Sequence, residues 1–219
     1  MGRFLRCGGR GGSLSWDSDA LRPRKPRHGA SVASQVDVRP SFWLWMGSCW
    51  FLGGPRLVLP FLLAAGLHEL GHLLALGALR IPFYGLELRG SGAVIRGGLA
   101  GEPREAWVML AGPGVNLLLA LLLRRSVPGF ALWNLALGAW NLLPIRGLDG
   151  GQVLALTFPC WLGRPGFILC QLFHWGTLLA LLLAGLWASW VLQYGLLPLV
   201  LVGILLARLG MGLAKTGKA

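Results

Sequence analysis

This chain has little charge. Only 13% of its 219 residues are charged, 55% are hydrophobic and the mean hydropathy is +0.63. A soluble domain carries about 25% charged residues. A chain this poor in charge cannot cover itself for water, which argues against a water-soluble globular enzyme and points most of the sequence towards lipid. Paired cysteine is also missing. Cys7, Cys49, Cys160 and Cys170 lie far apart with no CxxC among them, so neither a disulfide framework nor a Cys-based zinc site is supported, and they read as small buried hydrophobes. No apolar run follows within the first 30 residues, so no secretory signal is expected. Arg6 stands where an N-myristoylation signal requires Ser or Thr.

What charge there is is basic, net +12, and its placement decides its meaning. Eight of the 20 Lys and Arg fall in residues 1–39 (Arg3, Arg6, Arg10, Arg22, Arg24, Lys25, Arg27, Arg39), and most others sit in short loops between apolar runs. That pattern orients a membrane protein and does not make a nucleic-acid face. Residues 1–40, rich in Gly, Ser, Arg and Pro, read as a flexible basic cytoplasmic tail with too few apolar side chains to pack.

Six apolar segments follow, at about Ser41–Gly53, Val58–Leu79, Ala106–Leu123, Phe130–Leu143, Phe167–Leu192 and Leu196–Ala207. The expected fold is an all-α polytopic membrane protein of about six transmembrane helices, its membrane domain spanning 41–210 with a short cytoplasmic tail at 211–219. The first, fourth and sixth segments are shorter than the roughly 20 residues a helix needs to cross the hydrocarbon, so tilting or partial spanning is expected there. With the N-terminus inside, all basic residues but Arg56, Arg124 and Arg125 fall on the inner side, which places both termini in the cytoplasm. The 11 tryptophans suit a membrane–water interface. Between the second and third segments, FYGLELRGSGAVIRGG alternates apolar and polar residues around Gly90, Ser91 and Gly92, which predicts a small β-hairpin with a strand edge open to an extended peptide.

The second segment contains His68-Glu69-Leu70-Gly71-His72. On a helix, positions four apart share a face, so both imidazoles can reach one metal, and Glu69 stands beside the first ligand where it can take a proton from water. Ionisable groups at membrane depth cost roughly 2.5–3.5 kcal/mol each, and three together call for a compensating partner such as a metal ion. A catalytic zinc takes three protein ligands and keeps one position open. An extended motif with a third histidine would need Gly at Ala75 and His at Ala78. Glu87, Glu102 and Glu105 share a loop with arginines, where solvated ion pairs are the simpler account. Asp149 remains, in Asn141-Leu142-Leu143-Pro144-Ile145-Arg146-Gly147-Leu148-Asp149-Gly150-Gly151. Alone it reads as a turn former or N-cap; beside an incomplete zinc site it becomes a candidate ligand.

H-E-x-x-H in one apolar segment and N-x-x-P-x-x-x-x-D-G-G in a later one resemble the site-2 protease family of intramembrane zinc metalloproteases. Ala111-Gly112-Pro113-Gly114-Val115-Asn116 is similar to that family's Gly-Pro-x-x-Asn element. The resemblance covers about residues 42 to 210. It implies one zinc ion held by His68, His72 and Asp149, with Glu69 as general base, and Asn141 and Asn116 as substrate-positioning residues. It also implies a membrane-tethered protein substrate, hydrolysis of a peptide bond in or near a transmembrane segment, and a bacterial inner membrane setting. A membrane regulatory partner or a homo-oligomer belongs to the same expectation. The segment pattern looks most like the stage IV sporulation protein FB-like branch, which releases a sigma factor from its tethered precursor. Against that branch, no C-terminal nucleotide-sensing domain is expected in the residues after the sixth segment, and against the stress-response branch no PDZ insert is expected between the segments.

Two histidines lie outside this pattern. His28 belongs to the basic tail, and His174 reads as a satisfied interior histidine, since a further ligand would close the open position. The competing readings are an inactive membrane scaffold that binds partners without cutting them, and a metal transporter. The first should have lost Glu69 or a ligand. The second should spread His and acids over several facing segments.

Overall fold

The structure is a computed structural model that describes residues 35–89, 92–97, 102–191 and 203. It divides into two compact units, Met1–Leu142 and Leu143–Ala219.

The first unit opens with strand β1 (Gln35–Val38) and a long helix α1 (Pro40–Ala78). Helix α1 is broken at Gly54, whose φ of 66° and ψ of 171° suit glycine and no other residue comfortably, and Pro55 follows with no N–H to continue the ladder. The first two expected segments are therefore the two arms of one interrupted element. Strands β2 (Phe83–Arg89) and β3 (Gly92–Gly97) come next, then a 3-10 turn at Pro103–Glu105, helix α2 (Ala106–Leu123) and helix α3 (Pro128–Asn141).

The sheet order is β1-β2-β3, with β1 parallel and β3 antiparallel to β2. Arg89 faces Gly92 across the predicted hairpin; Gly90 and Ser91 lie outside the described residues. The hairpin expectation holds, with one addition. Val36 and Val38 pair beside Leu86 and Leu88, so β1 covers the edge of β2 and the edge strand of the hairpin is β3. Four residues of the stretch expected to be an unstructured tail are thus a strand; residues 1–34 lie outside the described residues. The Gln-Val-Asp-Val alternation is too short to announce itself, and only pairing with a distant strand makes it β.

Arg39 ties this strand to the sheet twice. Its backbone N–H donates to Leu88 O at 2.8 Å and its Nε to Glu87 Oε1 at 2.6 Å. Glu87 is 1% exposed, and Glu105 is buried as well. Neither is the solvated carboxylate the sequence suggested. Only Glu102 fits that description, exposed and 2.6 Å from Arg104.

Helix α2 packs against both α1 and α3, and α1 also touches α3. The buried positions of α2 (Val108, Met109, Gly112, Pro113, Asn116, Ala120) recur every three or four residues, as do Ala131, Asn134 and Gly138 on α3. Leu63, Leu70 and Leu74 on α1 and Leu118, Leu121 and Leu122 on α2 are exposed, the side a lipid-embedded helix turns outward. Small residues set how closely the helices approach. A β-carbon on Gly71 would stand 2.7 Å from Ala111 O, and one on Gly138 3.2 Å from the Asn116 β-carbon.

The second unit contains helix α4 (Asp149–Leu162) and helix α5 (Arg164–Val191), which pack against each other across a turn at Gly163, φ 62°. Gly166, Cys170, His174 and Leu178 form one buried stripe on α5, and a β-carbon at Gly166 would overlap Phe158 O. Helix α4 was not among the expected segments. Its Gly-Gly-Gln start and internal Pro159 weaken the apolar signal, and its 14 residues span only about 21 Å.

Among the described residues, three helical stretches are long and apolar enough to cross a membrane: Gly53–Ala78, Pro103–Leu123 and Arg164–Val191. Of the six expected spans, the first is the arm of α1 before Gly54. The fourth is α3, at 14 residues shorter than the roughly 20 needed, and the sixth lies, but for Gly203, outside the described residues.

Replacing Gly71 with Ala forces α1 away from the Ala111 carbonyl, a backbone atom that cannot swing aside. The expected cost is about 1–3 kcal/mol, read as a lowered thermal midpoint in detergent. An unchanged midpoint would contradict the close helix contact.

Candidate metal centre

His68 and His72 sit one turn apart on α1, both buried. Their rings stand nearly perpendicular with centroids 4.7 Å apart, and their Nε2 atoms approach to 3.1 Å. Each Nδ1 is held from α2. His72 Nδ1 lies 2.7 Å from Val108 O, and His68 Nδ1 lies 2.7 Å from Asn116 Oδ1. Val108, Gly112 and Asn116 are spaced by four, so one stripe of α2 provides an acceptor, a gap and a second acceptor. The gap is required, because any β-carbon on Gly112 would overlap the His72 imidazole and crowd His68.

These contacts fix the tautomers. A backbone carbonyl only accepts, so His72 Nδ1 carries the proton. Asn116 Nδ2 donates to Ala64 O at 3.1 Å and to Asn134 Oδ1 at 2.8 Å, which turns Asn116 Oδ1 towards His68 Nδ1–H. In neutral rings both Nε2 atoms then present lone pairs, and two lone pairs at 3.1 Å repel unless a positive charge lies between them. Two nitrogens bound to one tetrahedral zinc at 2.0–2.1 Å would be about 3.3 Å apart. Donor type, spacing and second-layer hydrogen bonds all fit a zinc ion.

Glu69, between the two histidines, is half-buried on α1. Asn116 is fully buried, with its amide engaged by His68, Ala64 and Asn134. Asn141 ends α3, half-buried, with Nδ2 donating back to Leu137 O at 3.0 Å.

In the second unit Asp149 is the first residue of α4 and is buried. A carboxylate there is favoured by the partial positive charge of the helix N-terminus. The loop before it is shaped by Gly147 at φ 87°, by Leu148 N–H donating to Ile145 O at 3.1 Å, and by Gly151, where a β-carbon would overlap Ile145 O. Burial lowers the Arg146 guanidinium from its usual value, opposed by its interaction with Cys170. His174, buried on α5, accepts the Arg146 backbone N–H through Nδ1 at 3.2 Å.

Asn134 is the participant that sequence reasoning missed. It is fully buried on α3 and its Nδ2 donates to Phe130 O at 2.9 Å. Its signal was available, since a carboxamide inside an apolar run must find partners.

No protein-family model matches the chain. Over 130 residues it is 38% identical to a Synechocystis sp. protein provisionally described as a zinc metalloprotease, an alignment covering 49% of this chain and 32% of that protein. The chain thus spans about a third of the length of the curated relative it matches. Among solved structures it is similar to the site-2 protease from Methanocaldococcus jannaschii, with a TM-score of 0.55, 20% identity, and coverage of 76% of this chain and 85% of that one. At that identity the likeness is one of fold.

A Gly112→Ala substitution should displace the imidazoles and weaken zinc binding by at least about tenfold, the scale of second-layer disruption. Zinc competition against a chromophoric chelator measures it, and native affinity would show that the α2 gap does not shape the site.

Proposed function

We propose that this chain is an intramembrane zinc metalloprotease of the site-2 type, hydrolysing a peptide bond in or near a transmembrane segment of a membrane-tethered protein. The observation that carries the reading is the pair of buried imidazoles on α1, pinned through Nδ1 and converging through Nε2, with Glu69 between them. The likeness in fold and the partial identity to a provisionally described zinc metalloprotease support it.

Asp149 is the third ligand in this reading. It is buried and offers one carboxylate oxygen, as His68 and His72 offer one nitrogen each. Two of the three rival acids are engaged elsewhere: Glu87 with Arg39, and Glu102 with Arg104 at the surface. The donor set of two imidazoles and one carboxylate leaves a position open.

When bound, zinc would polarise the scissile carbonyl and lower the pKa of water to about 7. Glu69 accepts the proton from the attacking water and delivers it to the leaving amine nitrogen. Asn116 and Val108 O hold the imidazoles so that no reorientation accompanies the chemistry. Asn141 is proposed to hold substrate backbone. Among the described residues β3 pairs only with β2, and its other edge is proposed to take an extended peptide, since β1 already covers β2. The proposed setting is a bacterial inner membrane with both termini cytoplasmic, and a tethered regulatory precursor, such as that of a sigma factor, is the proposed kind of substrate. A scaffold that binds without cutting is disfavoured because Glu69 and both histidines are retained.

The test uses a panel of membrane-tethered substrates in proteoliposomes. Glu69→Gln should keep one zinc and lose cleavage by about 10²- to 10⁴-fold. Cleavage at the wild-type rate by that variant, or a wild-type protein that holds no zinc, would overturn the reading. Asp149→Ala should release zinc under chelator concentrations the wild type withstands, with cleavage restored to wild type alone when zinc is returned; equal zinc retention would remove Asp149 from the ligand set.

A further inference from the structure

A metal-binding imidazole must present its lone pair, so something has to hold its proton on the other nitrogen. For His72 that is a backbone carbonyl, which has no alternative role. For His68 it is a side-chain amide, Asn116, which could flip and offer its NH₂ group instead. A flipped Asn116 would favour a proton on Nε2 of His68, the atom the metal needs. The flip is opposed from two directions. Ala64 O, a fixed acceptor, takes one hydrogen of Asn116 Nδ2, and Asn134 Oδ1 takes the other. Asn134 could itself flip, but its Nδ2 donates to Phe130 O, a second fixed acceptor one turn back on α3. Both asparagines are fully buried, so water cannot substitute for either partner.

We infer that Asn134 is a positioning residue for the metal site, acting through Asn116 to hold His68 in the tautomer that presents Nε2. The direction of every hydrogen bond in the series is set by backbone carbonyls at its ends. Phe130 O orients Asn134, Asn134 and Ala64 O together orient Asn116, and Asn116 orients His68. The third helix thereby bears on a histidine of the first through Asn116. Gly138, one turn further along α3, permits this approach, since a β-carbon there would press on the Asn116 β-carbon. The inference rests on the zinc reading proposed above and adds a residue outside the three ligands and the general base.

The experiment measures the affinity of the purified full chain for Zn²⁺ alone, by competition with a chromophoric chelator, with gel filtration and thermal melting as controls for folding. Asn134→Leu keeps the shape and removes both polar partners. Asn134→Asp, kept protonated by burial, preserves one acceptor towards Asn116 and one donor towards Phe130 O. Zinc affinity should fall about 10- to 100-fold in N134L and stay within about threefold of wild type in N134D. In an Asn116→Leu background N134L should cost no further affinity, because the series is already cut; a purely structural role would add its own loss. Native affinity in N134L, or a loss in N134D as large as in N134L, overturns the inference. The N134D result stands even where N134L fails to fold, and weakened binding in that variant counts against the relay. A wild-type protein with no zinc affinity overturns the metal reading itself, and the relay with it.

Discussion

Everything distinctive here follows from the cost of leaving a polar side chain without a partner among apolar helices. In hydrocarbon no water arrives to complete a hydrogen bond, so each buried imidazole and amide must be satisfied by another part of the chain. His72 finds Val108 O, and His68 finds Asn116, which in turn finds Ala64 O and Asn134. These bonds join three helices at one level, and they leave the Nε2 atoms of both histidines converging at 3.1 Å. The same requirement that stabilises the bundle therefore shapes a metal centre.

Close helix approach makes those bonds possible. Gly71 lets α1 settle on the Ala111 carbonyl, Gly112 leaves room for the imidazoles, and Gly138 brings α3 against Asn116. Without an apolar driving force between helices in lipid, this contact depends on dispersion and on polar links, both of which decay within a few tenths of an ångström of separation. Outside the bundle Arg39 does comparable work for the sheet, pairing the buried Glu87 while its backbone continues the ladder from β1.

The parts of this molecule written in local pattern were legible in its sequence. The H-E-x-x-H spacing placed two histidines on one helical face, the alternation after Phe83 placed a hairpin, and the long apolar runs at about Val58–Leu79, Ala106–Leu123 and Phe167–Leu192 fall within the stretches Gly53–Ala78, Pro103–Leu123 and Arg164–Val191 to within a residue or so. Features that exist only through distant contacts were not legible. Strand β1 is β because Leu86 and Leu88 lie beside it, Glu87 is buried because Arg39 reaches it from 48 residues away, and Asn116 serves His68 because α2 crosses α1 at Gly71. Helix α4 escaped for a local reason, its glycines, Gln152 and Pro159 diluting the apolar signal. Asn134 was visible as an amide in an apolar run, but its role needed the neighbouring helix.

The central claim is that His68 and His72 bind one zinc ion through Nε2, and zinc K-edge X-ray absorption on the metal-loaded protein in detergent addresses it most directly. The account predicts one zinc per chain, with two imidazole nitrogens at about 2.0–2.1 Å, falling to one imidazole in His72→Ala. A spectrum without imidazole scattering, or one unchanged by that substitution, would contradict it.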